Sequence, residues 1–360
     1  MERVVVAMSG GVDSSVAAAL LKDKGYEVIG ITMCFNLPDS FGKRPSCCGL
    51  QGIDDAKKVA RKLGIRHYVL NFQKALREKV ISEFRDEYLR GRTPNPCVRC
   101  NQFIKFDALL KKALALGAEY LATGHYARVK KGLRTKGSKR ASYILKKAKD
   151  KKKDQSYFLY RLNQNQLRHT LFPLGNYTKD EVRKMAKGFG LSVADKLASQ
   201  EICFLPGNDY RAFLRAIKKG IKPGDIVDSE NNVLGRHKGI PFYTIGQREG
   251  LGIAMGYPVY VIKIDPKNDR ITVGGKGEVY AREFLVTDIH LALPVLKKRI
   301  ALKVRIRYNH PEAAAEAEFL GNKAKISFKS PQFAVTPGQS AVFYDRGSVL
   351  GGGIIDEVLK

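Results

Sequence analysis

The chain has 360 residues, too many for one ordinary hydrophobic core, and that length suggests two or three domains. A hydrophobic share of 44% beside 28% charged residues is that of a soluble globular protein rather than a disordered or fibrous one. Lysine and arginine number 64 against 35 acidic residues, and a net charge of +29 argues against an acidic surface and for a polyanionic partner that releases counterions on binding.

Met-Glu-Arg leads straight into the short apolar run VVVAM (4–8), so neither signal peptide nor membrane anchor is expected, and the cytoplasm is the default location. That run has strand length. The turn SGGVD follows it, then the helical pattern SSVAAALLKDK closed by Gly25, then a second apolar strand, YEVIGITM. IDDAKKVARKLG reads as a helix with a stop at Gly64, HYVLNF as a strand, QKALREKVISEFRDEYLR and FDALLKKALALG as helices, and EYLATGHYA as a further strand. Such alternation predicts an α/β fold with a doubly wound parallel sheet and ligands at the carboxyl ends of its strands.

Past residue 175 the texture changes. YTKDEVRKMAKGFGLSV (177–193) and DYRAFLRAIKKG (209–220) read as short helices, and after them glycine turns separate short β-rich runs such as VYVIKIDP, RITVGG and SAVFYD. We expect a catalytic domain over 1–208, with 176–195 contributing to a small central α+β domain at 209–280, and a C-terminal β-barrel over 281–360. Lysines cluster in KKGLRTKGSKRASYILKKAKDKKK (130–153) and recur in the C-terminal third, a pattern that favours nucleic acid over a merely solubilising surface.

MSGGVDSS (8–15) stands where a strand meets a helix, the place where backbone amides and the helix dipole cradle phosphate. Gly10 and Gly11 let the chain approach an anion; Ser9, Ser14 and Ser15 can donate hydroxyl hydrogen bonds; Asp13 can cap the helix or meet Mg²⁺. No lysine follows the glycines, so this is not the loop that handles a transferred γ-phosphate. It resembles the SGGxDS signature of the ATP pyrophosphatases, which adenylate a substrate oxygen and release pyrophosphate.

With that loop in place, the chain resembles the bacterial tRNA-specific 2-thiouridylase family, which thiolates the wobble uridine of certain tRNAs. The matching stretches run in order from residue 8 to 355: MSGGVDSS, TPNPC..CN..IKF, ATGHYAR, KDQSYFLY, ADKLASQEICFLP, GRHKGIPFYTIGQREGLG, TPGQSAVFY and GGGII. The resemblance implies ATP, with Mg²⁺, held by Ala7, Met8, Ser9, Gly10, Gly11, Val12, Asp13 and Ser14, with Met33 and Gly124 near the adenine or ribose. ATP activates the C2 oxygen of uridine as an adenylate, and sulfur carried as a persulfide on Cys203 displaces AMP, with Cys100 as partner nucleophile. Asn95, Pro96 and Cys97 are placed against the target base. The resemblance further implies RNA contacts by His125, by Lys153, Asp154 and Gln155, and by Arg305, Ile306, Arg307 and Gln339, where Ile306 replaces the family's frequent tyrosine. Partners are then tRNA and a persulfide-delivering sulfur donor protein, with no DNA and no membrane. His237, Tyr243, Gln247 and Arg248 match the family closely and read as scaffold.

Six cysteines are too sparse for a disulfide framework. Cys97 and Cys100 supply two ligands with no second pair to complete a zinc site, and a thioredoxin-like pair is expected just after a strand, whereas here a helix precedes it. Many family members carry Asp at the position of Cys97, so this chain has a third cysteine in its site. Two routes therefore stand open: a persulfide relay through Cys203 and Cys100, which we favour, and a [4Fe-4S] cluster on Cys97, Cys100 and Cys203. Cys34, Cys47 and Cys48 read as structural or incidental. Rival functions are another adenylating enzyme of the superfamily, which needs neither Cys100 nor Cys203, and a non-catalytic tRNA-binding protein that releases no pyrophosphate.

Overall fold

A computed structural model describes residues 1–35, 50–132, 142–197, 202–205, 207, 209–218, 220–293 and 297–359. It divides into two compact units, one of 1–80, 97–209 and 346–350, the other of 81–96, 210–345 and 351–360.

The first unit is built on a parallel sheet. Its strands are β1 (Arg3–Ala7), β2 (Glu27–Cys34), β3 (Arg66–Asn71), β4 (Tyr120–Ala122) and, after the hairpin β5 (Ala127–Lys131) and β6 (Tyr143–Lys147), β7 (Thr170–Leu171). The order is β3-β2-β1-β4-β7, with every pairing parallel. The chain leaves β1 toward β2 on one side and later returns to β4 on the other, so the carboxyl end of β1 is a topological switch point, where open α/β sheets bind ligands. Val4, Val5 and Val6 are fully buried. At about 2 kcal/mol for each buried valine, they anchor the strand that presents the loop.

Helix α1 (Val12–Asp23) follows the loop and buries Val16 to Leu21 against the sheet; α2 (Leu50–Leu63) packs against it. The expected helix over 73–90 forms as Gln73–Leu76, a π-helical turn Arg77–Ile81 and Ser82–Leu89. The helix expected from 106 begins earlier, at Pro96, and runs through a ten-residue π-helical stretch, Cys100–Leu109, into Leu110–Ala115. Proline suits a first helical position, where its missing N–H would have had no partner. π-Helical turns gather at functional sites, and this one starts on Cys100. The helix Lys179–Gly188 forms where the sequence placed it, closed by a capping box between Thr178 and Glu181. The β5–β6 hairpin was not foreseen: the lysine-rich segment folds partly into antiparallel strands, while 133–141 lies outside the described residues.

The second unit contains two β structures. A small sheet of β8 (Gly224–Val227), β9 (Val233–His237), β10 (Tyr260–Asp265) and β11 (Arg270–Gly274), ordered β10-β11-β8-β9, accompanies the helix Tyr210–Ile217. The strands β12 (Tyr280–Leu291), β13 (Arg299–Arg305), β14 (Ala313–Leu320), β15 (Lys323–Phe333), β16 (Ser340–Asp345) and β17 (Ser348–Leu359) form a six-stranded barrel. Pairing of β12 with β17, from Glu283–Leu359 to Leu291–Gly351, closes it and removes both edges. The α/β catalytic unit, small central domain and C-terminal barrel are those expected. No helix among the described residues is long and apolar enough to cross a membrane.

Candidate active site

The loop after β1 is assembled from main chain. Met8 N donates to Ile31 O at 2.8 Å, and Met8 O accepts the Thr32 hydroxyl at 2.8 Å, so the turn starts from a fixed point. Gly10 has φ +71°, and a Cβ there would lie 2.1 Å from Gly52 O; glycine is required by both conformation and space. Gly11 is the N-cap of α1 and supplies no side-chain cap, which leaves the amides of the first turn for an anion. Gly124 lies so close over that turn that a Cβ would stand 2.7 Å from Ser14 N. Met8 and Met33 are buried nearby.

The side chains of the loop are less available than the sequence suggested. Ser14 and Ser15 donate their hydroxyls to Gly11 O at 3.2 and 2.9 Å, and Ser9 N donates to Ser14 Oγ at 3.1 Å. Asp13 does not cap the helix. Its Oδ1 accepts the Tyr126 hydroxyl at 2.8 Å and Lys179 Nζ at 2.6 Å. Burial and the Asp13 charge push the Tyr126 phenol up, so it remains a neutral donor. Lys196 Nζ donates to Gly10 O at 3.1 Å and to Asp55 Oδ2 at 2.7 Å. The loop that carries no lysine of its own is thus braced by two from far along the chain.

The thiols form a second group. Cys97 is half-buried in the first turn of the helix that starts at Pro96, Cys100 is buried at the start of the π-helical stretch, and Cys203 is half-buried. Burial pushes both the Cys97 and the Cys100 thiol up to about 12; the Cys203 sulfur adds to each shift, and Lys105 opposes them. Lys105 also faces His125, whose ring is held well below 6.5, first by burial and then by that lysine. A neutral His125 accepts or donates through Nδ1 to Thr123 Oγ1 at 2.8 Å and packs between Phe106 and Phe172 at 6.0 and 6.1 Å.

The residues assigned to RNA divide by exposure. Lys153 is exposed. Asp154 is 1% exposed and accepts Ala148 N and the Ser156 hydroxyl at 2.9 and 2.8 Å, while Gln155 Oε1 accepts Tyr126 N at 3.0 Å. In the other unit, Arg305 Nε donates to His310 O and Arg307 Nη2 to Ile245 O, both at 3.0 Å. Ile306 is fully buried, so its side chain belongs to the core of that unit rather than to an RNA face. Gln339 Nε2 donates to Thr93 O at 2.8 Å and Pro94 O at 3.3 Å. His237 is buried, with Gly239 N donating to its Nδ1 and its Nε2 facing Asp269 O at 2.8 Å, a scaffold role as expected.

A family model described as a tRNA methyl transferase HUP domain matches residues 2–207, a tRNA methyl transferase PRC-barrel domain matches 211–275, and an aminomethyltransferase β-barrel domain matches 281–355. The tRNA-specific 2-thiouridylase MnmA of Halothermothrix orenii is 52% identical over 364 residues, covering 99% of each chain. The chain belongs to the tRNA-specific 2-thiouridylase family. A second thiouridylase, MnmA 1 of Caldanaerobacter subterraneus, is 53% identical and again covers 99% of both chains; that of Acetivibrio thermocellus is 50% identical, covering 98% of this chain and 99% of its own.

The iron–sulfur alternative finds no support. Among the described residues no group of three His, Cys, Asp or Glu side chains is arranged to hold a metal ion. Cys34 ends β2, and Cys47 and Cys48 lie outside the described residues. Sequence reasoning missed Tyr126, Lys179, Lys196 and Lys105 as members of the thiouridylase site. Tyr126, Lys105 and Lys196 were visible inside the matched ATGHYAR, IKF and ADKLASQEICFLP stretches without a role; Lys179 carried no local signal, because its partner is 166 residues away.

Proposed function

We infer that the chain is a tRNA uridine 2-sulfurtransferase that consumes ATP. The observation that carries this is the uncapped start of α1 at the switch point of a parallel sheet, in a chain half identical from end to end to 2-thiouridylases. The loop amides and the α1 dipole bind ATP phosphates. The C2 oxygen of uridine attacks the α-phosphorus, the bond to pyrophosphate breaks, and an O2-adenylate remains. The outer sulfur of a persulfide on Cys203 then attacks C2 and AMP departs. Cys100 attacks the Cys203 sulfur, the S–S bond to the transferred sulfur breaks, and a Cys100–Cys203 disulfide is left for an external dithiol to reduce.

Oxygen leaves C2 poorly until esterified, so the two halves of the site depend on each other. Asp13 is already bound by Lys179 and Tyr126; Mg²⁺ enters in this reading with the phosphates of ATP. Asn95, Pro96 and Cys97 meet the splayed wobble base. His125, Lys153, Gln155, Arg305 and Arg307 contact tRNA, with Asp154, Ile306 and Gln339, whose side chains are buried or already engaged, contributing backbone alone. A sulfur donor protein loads Cys203, and the reaction takes place in the cytoplasm. The division at 1–208, 209–280 and 281–360 belongs to the same reading, but the expected share of 176–195 in the central domain is corrected: Val182, Ala186 and Leu191 pack into the core of the first unit with Val16 and Leu20.

The test incubates anaerobically purified protein with ATP, Mg²⁺, unmodified tRNA and a persulfide source, then digests the tRNA and quantifies 2-thiouridine. ATP-dependent 2-thiouridine is expected. Its absence, together with unchanged ATP turnover in Cys203→Ala, would remove this function.

A further inference from the structure

The segment Arg92–Pro96, which the proposed function places against the target base, is fastened to the turn Thr336–Gln339 by contacts that the reaction as described does not use. Thr93 N donates to Pro337 O at 2.9 Å. Gln339 Nε2 donates to Thr93 O and Pro94 O, the two carbonyls immediately before Asn95. Gly338, at φ +91°, lies so close that a Cβ would fall 2.8 Å from Thr93 N and 3.0 Å from Arg92 Cβ.

Arg92 secures the other end. Its Nε donates to Glu87 Oε2 at 2.7 Å, Nη1 to Asp356 Oδ1 at 2.9 Å and Nη2 to Ile355 O at 3.1 Å, while its side chain is only 21% exposed. A guanidinium divided among two carboxylates and two main-chain carbonyls, Ile355 O and Asp356 O, has little freedom left for an RNA phosphate. The Thr93 hydroxyl adds a bond to Thr244 Oγ1 at 3.2 Å. All of these contacts lie within the second unit.

We propose that Arg92, Gly338 and Gln339 form a clamp by which the C-terminal barrel positions the target-base loop. Gln339 and Arg92 are positioning residues here: they act on the base through the backbone of Thr93, Pro94 and Asn95. The barrel thereby does more than add RNA-binding surface, because it sets where the loop stands when the base arrives. A displacement of about 1 Å at such a loop can cost up to about a hundredfold in rate without weakening substrate binding. The inference rests on the proposed role of Asn95 and Pro96.

The test compares wild type with Gln339→Glu and Gly338→Ala in full-length protein, under saturating tRNA, ATP and persulfide, well below the melting temperature of each variant. Gln339→Glu keeps the size of the side chain but sets a carboxylate oxygen against two carbonyls. Single-turnover thiolation at saturation is expected to fall about tenfold or more in each variant, with tRNA affinity within twofold of wild type. Asp356→Asn, which keeps an acceptor for Arg92, is expected to retain most of the rate. Weakened tRNA binding with an undiminished saturated rate would make Gln339 an RNA contact and overturn the clamp, as would wild-type behaviour of both variants. Absence of 2-thiouridine from the wild type would instead overturn the underlying function.

Discussion

The nucleotide loop and the thiol group lie in the same unit and are built on opposite principles. The loop is finished before any ligand arrives: its Ser14 and Ser15 hydroxyls are spent on Gly11 O, its carboxylate is held by Lys179 and Tyr126, and a helix dipole faces its opening. The loop thiols are switched off, since burial keeps Cys97 and Cys100 protonated near neutral pH. Preorganised amides bind charge at once, whereas a buried thiol waits for a reaction that draws off its proton.

The sharpest break of that contrast is Cys203→Ala. We expect 2-thiouridine formation to fall more than about a thousandfold while ATP affinity, measured by calorimetry, stays within twofold, because the two groups bind different chemistry. Next is Gly10→Ala, whose Cβ would enter the Gly52 carbonyl at 2.1 Å; ATP affinity should drop about a hundredfold. Gly124→Ala, crowding Ser14 N at 2.7 Å, tests the same loop from its other side, and unchanged ATP binding in both would show that the loop is not the nucleotide site.

Smaller effects sharpen the electrostatic half. Alkylation of Cys100 by iodoacetamide at pH 8 should be at least about tenfold slower than that of an exposed thiol, and its rate should still be climbing at pH 10. Both thiols hold their protons more tightly in the folded chain than at the ordinary 9.0. Their contribution to stability is therefore full below about pH 9 and is lost as pH rises toward 12, which denaturant titrations at pH 8 and 10.5 would reveal. Smallest is Lys179→Met, which leaves Asp13 facing the phosphates with its charge unbalanced. ATP affinity should fall severalfold and recover in part with Lys179→Arg.

Much of the catalytic unit was legible because its signals are local. An apolar strand, two glycines and a helix start within a dozen residues dictate a phosphate loop whatever surrounds them, and β1, β2, β3 and β4 fall where the apolar runs placed them. Resemblance supplied the pairing of Cys100 with Cys203, which no spacing rule could. Asp154 and Ile306 illustrate the limit: each sits in a matched motif, yet each is buried, and burial depends on what packs above a residue rather than on its neighbours in the chain.

The sequence by itself determined the kind of sheet, the loop at its centre, the presence of a β-rich C-terminal third and the family. Those follow from periodicity, from the conformational range of glycine and from motifs short enough to be read in line. Tertiary structure alone decided that Lys179 and Lys196 brace the loop, that the loop thiols are held neutral, that β12 pairs with β17 to close the expected barrel, and that Gln339 grips the segment before Asn95. The physical reason is common to all four: each depends on desolvation or on hydrogen bonds between groups distant in sequence, and such energies do not exist until the chain has folded.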